Sequence, residues 1–297
     1  MSLVKIIKGY RRAYSNWFSV LYQIYRTRNK KLDKTNEFIK VRLKGTDNIL
    51  NVPRIVVSVY AHLNSIPHPR IHNLFIENNL LLFSYENYNL KFDLGNGAGL
   101  DEIFINEEYN FLKVRGRVVV DIGANIGDTA IYFAIKGAKK VISLEPYPYT
   151  FALAIKNIQF SGFKDKIEII NAGYGEDIRI KIDTSFTPDN SSVLRENENG
   201  PEINLYSLKT IVSEYGIDSG ILKMDCEGCE YNLLNEDDET IKKFAMIQIE
   251  YHYGYEKLVD KLKGCGFAVK YTKPKTFYSL SSSGSTTMTL GYIFAQR

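Results

Sequence analysis

A chain of 297 residues, 44% hydrophobic and 24% charged, can bury a sizeable core and has room for one large domain with an appendage. Its net charge of +4 admits an anionic partner without demanding one, and its three cysteines make no disulfide framework. No apolar run reaches membrane-spanning length and no cleavable signal is visible, so a globular protein of the reducing cytoplasm is expected, with the inner membrane surface as the alternative location.

Apolar residues recur at Leu3, Ile7, Tyr10, Tyr14, Trp17, Leu21 and Ile24, a helical stripe, and through Lys31 the segment carries eight Lys or Arg and no acid. Residues 1–35 are therefore expected to form a basic amphipathic helix. Its stripe can rest on an anionic membrane surface or pack against the body of the protein or a second subunit. Packing is preferred, and residues 1–31 are the candidate surface for peripheral membrane contact or dimerisation. Residues 36–100 read as a β-rich accessory region. Phe38–Leu43 alternates, Ile55–Leu63 is strongly apolar, and Leu80–Phe92 suggests a hairpin about Asn87-Tyr88. Gly95-Asn-Gly-Ala-Gly99 makes a boundary, and Asp101–Leu112 then has a helical pattern that opens the third region, 101–297.

Val118–Ile122 is a short apolar run of the kind a strand buried on both faces shows. Asp121 lies near its end and Gly123-Ala-Asn-Ile-Gly127 follows at once. A helix over Thr129–Lys136 and a second apolar strand, Val141–Leu144, complete a βαβ unit that ends on Glu145. Asn125 stands where a nicotinamide fingerprint needs its middle glycine. The turn glycines still allow close ligand approach, and Glu145 stands where ribose hydroxyls sit in such folds, which favours a nucleoside-containing cofactor.

Further along, Tyr149–Phe160 reads as a helix and Ile167–Ile170 as a third strand ending on Asn171-Ala172-Gly173. Ile178–Ile182 is a further strand, and Thr184–Asn204 a long polar loop. Leu208–Tyr215 is helical, Ile221–Asp225 is a fourth core strand, and Glu227–Leu234 is expected as the helix after it. Ala245–Tyr251, a helix over Tyr255–Gly264, Phe267–Tyr271, a serine-rich loop at Ser279–Ser285 and a last strand, Thr287–Ala295, close the chain. The alternation predicts an α/β, doubly wound sheet whose last strand runs antiparallel. Cys226-Glu-Gly-Cys229 matches C-x-x-C. A redox pair or half a zinc site is the minor reading, because no second ligand pair accompanies it.

Asp121-Ile-Gly-Ala-Asn-Ile-Gly127, Glu145-Pro146, Asn171-Ala172, Lys223-Met-Asp-Cys-Glu-Gly-Cys-Glu230 and Ile249-Glu-Tyr-His252 occur in this order. Together they resemble the FkbM family of class I S-adenosylmethionine-dependent methyltransferases, over about Glu102–Arg297. The chain departs from the family at Ser207-Leu208-Lys209, where Thr-Leu-Asp is usual. The resemblance implies a Rossmann-like, seven-stranded, mostly parallel sheet that binds S-adenosyl-L-methionine and transfers its methyl to a hydroxyl, often of a sugar or natural product. It implies Asp121, Gly123, Asn125 and Gly127 around the methionine half of the cofactor, Glu145 with Pro146 at the ribose, and Asn171 with Ala172 at the adenine. The fourth-strand block, with Asp225, would face the reacting methyl.

On strand alternation Lys223 and Asp225 share one side, as do Gln248, Glu250 and His252 in the next strand. If those strands are neighbours, Asp225, Glu227, Glu250 and His252 crowd one rim. Lys223 is expected to meet a carboxylate, with Lys223 and Glu230 in structural roles. Asp225, His252 and Glu250 are the catalytic candidates, with Asp225 or His252 as the base for a hydroxyl acceptor. No resident metal is expected; a divalent ion on Asp225, Glu250 and His252 is the weaker alternative. A nucleic-acid partner is not expected, since no RNA-module motif is visible. RNA methylation and a non-catalytic scaffold remain the alternatives to a glycan or small-molecule methyltransferase.

Overall fold

The basic N-terminal stripe folds as two helices, α1 (Leu3–Ala13) and α2 (Trp17–Arg28), in the computed structural model, which describes all residues except 1–2, 29–36, 66–67, 98, 189–191 and 282–283. The end of the expected basic segment, at Lys30 and Lys31, lies outside the described residues. The break between the helices has a cause. Ser15 N–H donates to Arg42 O, and the Asn16 amide bonds both Lys40 O and Arg42 N–H of strand β1 (Phe38–Arg42), which turns the chain. β1 pairs with β2 (Ile49–Pro53), and the apolar run that followed in a region expected to be β-rich is a helix, α3 (Arg54–Ser65). α1 packs closely on α3: a Cβ at Gly9 would lie 2.3 Å from Ala61 O. Strands β3 (Ile71–Glu77), β4 (Leu80–Tyr85) and β5 (Tyr88–Phe92) form an antiparallel meander. The helix expected over Asp101–Leu112 is confined to α4 (Leu100–Phe104), because the N–H groups of Ile105 and Asn106 both turn back to Asp101 O.

The chain divides into two units, Met1–Glu107 and Glu108–Arg297. In the second, β6 (Val118–Ile122), helix α5 (Asp128–Ile135), β7 (Lys140–Leu144), helix α6 (Pro148–Phe160) and β8 (Ile167–Ile170) alternate as the apolar runs require. β9 (Ala172–Tyr174), β10 (Arg179–Lys181) and β11 (Glu202–Tyr206) build a small separate sheet, so the end of the expected polar loop is a strand. Helix α7 (Leu208–Tyr215), β12 (Gly220–Met224), helix α8 (Asp238–Ile241), β13 (Phe244–Tyr251), helix α9 (Glu256–Gly264) and β14 (Ala268–Tyr271) follow. The segment expected as a serine-rich loop is instead the hairpin of β15 (Lys275–Ser281) on the first half of β16 (Gly284–Gln296).

The main sheet runs β14-β16-β13-β12-β6-β7-β8. β8, β7, β6, β12 and β13 are parallel neighbours, while β16 pairs antiparallel with both β13 and β14. The chain progresses outward in one direction from β6 to β8 and in the other from β12. The switch point, where open α/β sheets take their ligands, therefore lies at the carboxyl ends of β6 and β12. Val120, Ile122, Leu222, Met224, Ile247 and Ile249 are buried in the core beneath it, against α7 and α9.

Candidate functional site

β6 leaves the sheet through Gly123, whose φ of +80° places its Cα against the end of β12. An added Cβ would sit 1.8 Å from Asp225 O, so only glycine fits. Asn125 (φ +47°) and Gly127 (φ +83°) hold the rest of the turn in the left-handed region, and Gly127 caps α5. Asp121 is fully buried beneath this turn. Its Oδ2 accepts from Thr129 Oγ1 at 2.7 Å, and its Oδ1 lies 3.1 Å from Lys223 Nζ. Lys223, buried equally deeply, also donates to the carbonyls of Gly123 (2.7 Å) and Ile122 (3.2 Å). Burial works against the Lys223 charge, but Asp121 and Asp225 outweigh it and raise its pKa. Asp121 and Lys223 thus form a strut under the glycine turn.

Glu145 ends β7 beside that turn. Its Oε2 accepts from Asn125 N–H (2.9 Å), and its Oε1 accepts from Tyr147 N–H (3.0 Å) and Thr150 Oγ1 (2.6 Å). Burial pushes its pKa up to about 7, against the pull of those donors. The Asn171 amide donates to the carbonyls of Glu145 (2.9 Å) and Pro146 (2.8 Å), tying the end of β8 to the end of β7, and Ala172 is buried next to it.

The β12 and β13 ends form the other wall. The register Lys223↔Gln248 and Met224↔Ile249 sets Asp225 alongside Glu250, so the four expected side chains do share one rim. Asp225 is partly exposed, and its Oδ2 accepts from Tyr109 Oη at 3.1 Å. His252 is 1% exposed. Its Nδ1 lies 2.9 Å from Glu230 Oε1, and its Nε2 lies 3.3 Å from Glu227 Oε2 and 4.0 Å from Asp225 Oδ1. Burial disfavours its charge, but Glu227 and Glu230 more than offset that and raise its pKa to about 11. Burial, with Asp225 next, pushes the Glu250 carboxyl upward.

Glu230 is fully buried and also accepts the N–H groups of His252 (3.0 Å) and Gly228 (2.8 Å), a structural position like that expected for it. The segment Glu227–Leu234 is not an α-helix. Glu227 (φ +56°) and Gly228 (φ +123°) break it, and a 3-10 turn covers Cys229–Asn235. Cys226 and Cys229 are joined as a disulfide, Cα–Cα 5.5 Å, the linked form that the minor reading of the C-x-x-C as a redox pair allows. Tyr109 escaped the sequence reading because nothing in its neighbourhood marks it, and Glu227 was placed at the rim without its histidine contact.

A seven-stranded sheet in this order, with β16 reversed and the acid, glycine turn and second acid at its switch point, is the Rossmann-like fold of class I methyltransferases. The chain belongs to the FkbM methyltransferase family: the profile of the methyltransferase FkbM domain matches residues 121–269. An uncharacterized protein, 158B, of Sulfolobus islandicus rod-shaped virus 1 is 27% identical over 155 residues, 52% of this chain and 73% of the relative. The tRNA(Phe) (4-demethylwyosine(37)-C(7)) aminocarboxypropyltransferase of Pyrococcus horikoshii is 33% identical over 69 residues, 23% of this chain and only 25% of that one. Among solved structures, a methyltransferase FkbM from Methylobacillus flagellatus KT aligns with a TM-score of 0.40 at 16% identity, over 60% of this chain and 43% of that chain.

Proposed function

We propose that the protein is an S-adenosylmethionine-dependent methyltransferase that O-methylates a hydroxyl of a sugar, glycan or related small molecule. Glu145 carries the cofactor half of this reading. A carboxylate offers about four acceptor positions, and among the described residues Oε2 takes a single donor, which leaves room for a ribose hydroxyl. The left-handed turn beside it suits a ligand that approaches the backbone closely. On this reading Gly123, Asn125 and Gly127 flank the amino-acid end, Glu145 and Pro146 the ribose, Asn171 and Ala172 the adenine edge, and Asp225 borders the crevice. Asp121 serves from beneath, by fixing the turn through Lys223 and Thr129. The bound cofactor supplies a methyl group activated on a sulfonium, so alignment is the protein's main task, worth roughly 7–11 kcal/mol in favourable cases.

The acceptor half rests on the rim. Asp225 faces the crevice with one oxygen oriented by Tyr109, and it can take the proton from an acceptor hydroxyl. The carboxylates of Glu227 and Glu230 favour positive charge at the His252 ring, beside the oxygen where the alkoxide develops. A base contributes on the order of 10²–10⁴-fold, so Asp225→Asn should lose turnover on that scale at saturating cofactor. Normal turnover in both Asp225→Asn and His252→Ala would end the assignment. The acceptor class is tested by labelled methyl transfer to a panel of saccharides, with mass spectrometry of glycans from cells with and without the protein. Transfer confined to non-hydroxyl acceptors would overturn it.

A second reading, methylation of RNA, draws on the tRNA-modifying relative and the basic N-terminal helices. It requires polynucleotide binding that weakens steeply with salt. No binding, or salt-insensitive binding, removes it.

A further inference from the structure

The β12–β13 rim holds a group of donors that methyl transfer alone does not call for. One ligand atom each from Asp225, Glu227 and His252 lie within 4.8 Å of one another. Bonds of about 2.0–2.2 Å to nitrogen and oxygen place neighbouring ligands roughly 3.0–3.5 Å apart; His252 Nε2 and Glu227 Oε2, 3.3 Å apart, already meet that, and the partly exposed Asp225 carboxylate, 4.0 Å from Nε2, has to close on them. His252 is the decisive member, because it is deeply buried and cannot turn away. Glu230 accepts from its Nδ1 and from its backbone N–H, which fixes the ring and aims Nε2 at the two remaining carboxylates. A buried carboxylate behind one imidazole nitrogen is the arrangement that orients metal-binding histidines. Glu227 Oε2, at the same point, is buried, and its ion-pair contact is His252 Nε2, 3.3 Å away. The Cys226–Cys229 disulfide closes the short ring that carries Glu227. Asp225 is 28% exposed and leaves the set open on the crevice side.

We propose that Asp225, Glu227 and His252 bind a divalent transition-metal cation that displaces the proton from His252 Nε2 to solvent, with Glu230 orienting the histidine and the open side left for an oxygen ligand. One imidazole with two carboxylates suits manganese, iron, cobalt, nickel or zinc better than magnesium, which takes oxygen ligands and keeps its water. The oxygen ligand is water at rest and an acceptor hydroxyl during turnover, so the cation draws the acceptor to the cofactor side of the rim. Strand alternation alone groups Glu250 with Asp225 and His252. The loop after β12 brings in Glu227 instead.

What the ion does rests on the methyl-transfer reading; whether it binds does not. The test is calorimetric titration of the chelator-stripped full chain with manganese, zinc and magnesium chlorides, without cofactor. The expected result is saturable manganese and zinc binding in the micromolar range or tighter, with magnesium weaker by about tenfold or more. Glu227→Gln should weaken manganese by about tenfold or more, and Glu230→Gln by roughly 10–100-fold. Pulsed electron paramagnetic resonance of the manganese form should show nitrogen coupling that His252→Gln removes. No saturable binding below millimolar, equal affinity in Glu227→Gln, or no nitrogen coupling in the parent would overturn the proposal and leave an ion pair only. S-adenosylmethionine is titrated separately into metal-free parent and Glu227→Gln, where equal affinity is expected. Metal binding without cofactor binding would sink the proposed function and spare the site; the converse would do the opposite.

Discussion

Lys223→Met should be among the most damaging single changes in the second unit. The Asp121 carboxylate is fully buried, and its Oδ1 pairs with the Lys223 ammonium, 3.1 Å away. The substitution leaves that charge uncompensated and strips the carbonyls of Ile122 and Gly123 of their donor. Breaking one side of a buried pair costs about 3–5 kcal/mol, a large share of the ~5–15 kcal/mol that holds a domain folded. Asp121→Asn should cost a similar amount from the other side. The double variant should be far less than additive, with a coupling of about 2 kcal/mol or more, because it removes both charges together. Trp17, the only tryptophan, lies in the N-terminal unit, so its fluorescence does not report on this pair. Urea titration followed by hydrogen exchange at the β6 and β12 amides reads it directly. Two single costs under about 1 kcal/mol, or costs that simply add, would refute the strut.

Glu145 gives a pH signature. Its pKa is raised from 4.5 to about 7, so the folded protein keeps a proton that the unfolded chain has released, and stability from this group falls as pH climbs between those values. The loss is about 3 kcal/mol, and Glu145→Gln should flatten that part of the stability–pH curve; an unchanged curve contradicts the assignment. Cofactor affinity should rise as the folded protein loses that proton around pH 7, since ribose hydroxyls donate to the carboxylate, and an affinity independent of pH from 6 to 8 would count against it. Reducing Cys226–Cys229 should lower turnover by freeing Glu227 while costing only about 2 kcal/mol of stability, the chain-entropy value for so short a ring. Full activity in a Cys226→Ser, Cys229→Ser variant would show that the ring is not needed. On α2, Phe18, Tyr22 and Tyr25 are exposed at i, i+4 and i+7, on one face of the helix. If that face docks on anionic lipid, the protein should float with anionic but not neutral vesicles, and Phe18→Ser should weaken flotation. Indifference to lipid charge would leave dimerisation or a solvated face.

The parallel strands were legible because a strand buried on both faces is mostly apolar, and β6, β7, β12 and β13 are so apart from polar positions such as Asp121, Ser143, Lys223, Gln248 and Glu250. The same rule misled at Ile55–Leu63. A helix buried on most sides shows a run just as apolar, and periodicity cannot separate the two at that length. β3 and β11 were missed because their charged and amide residues mask the alternation, and the helix forecast after β12 failed because backbone at Glu227 and Gly228 is left-handed. At the site, strand alternation placed Asp225, Glu250 and His252 on one rim. The partners that decide their chemistry come from elsewhere in the chain. Tyr109 precedes Asp225 by 116 residues, and the Glu230–His252 contact spans 22, distances over which spacing carries no signal.

The central claim is that the β6 turn and the Glu145 carboxylate grip a nucleoside cofactor. Calorimetric titration of the purified chain with S-adenosylmethionine tests it most directly. Micromolar binding to the parent and strong weakening in Glu145→Ala, with the fold retained, are expected. No binding by the well-folded parent, or equal affinity in the variant, would contradict it.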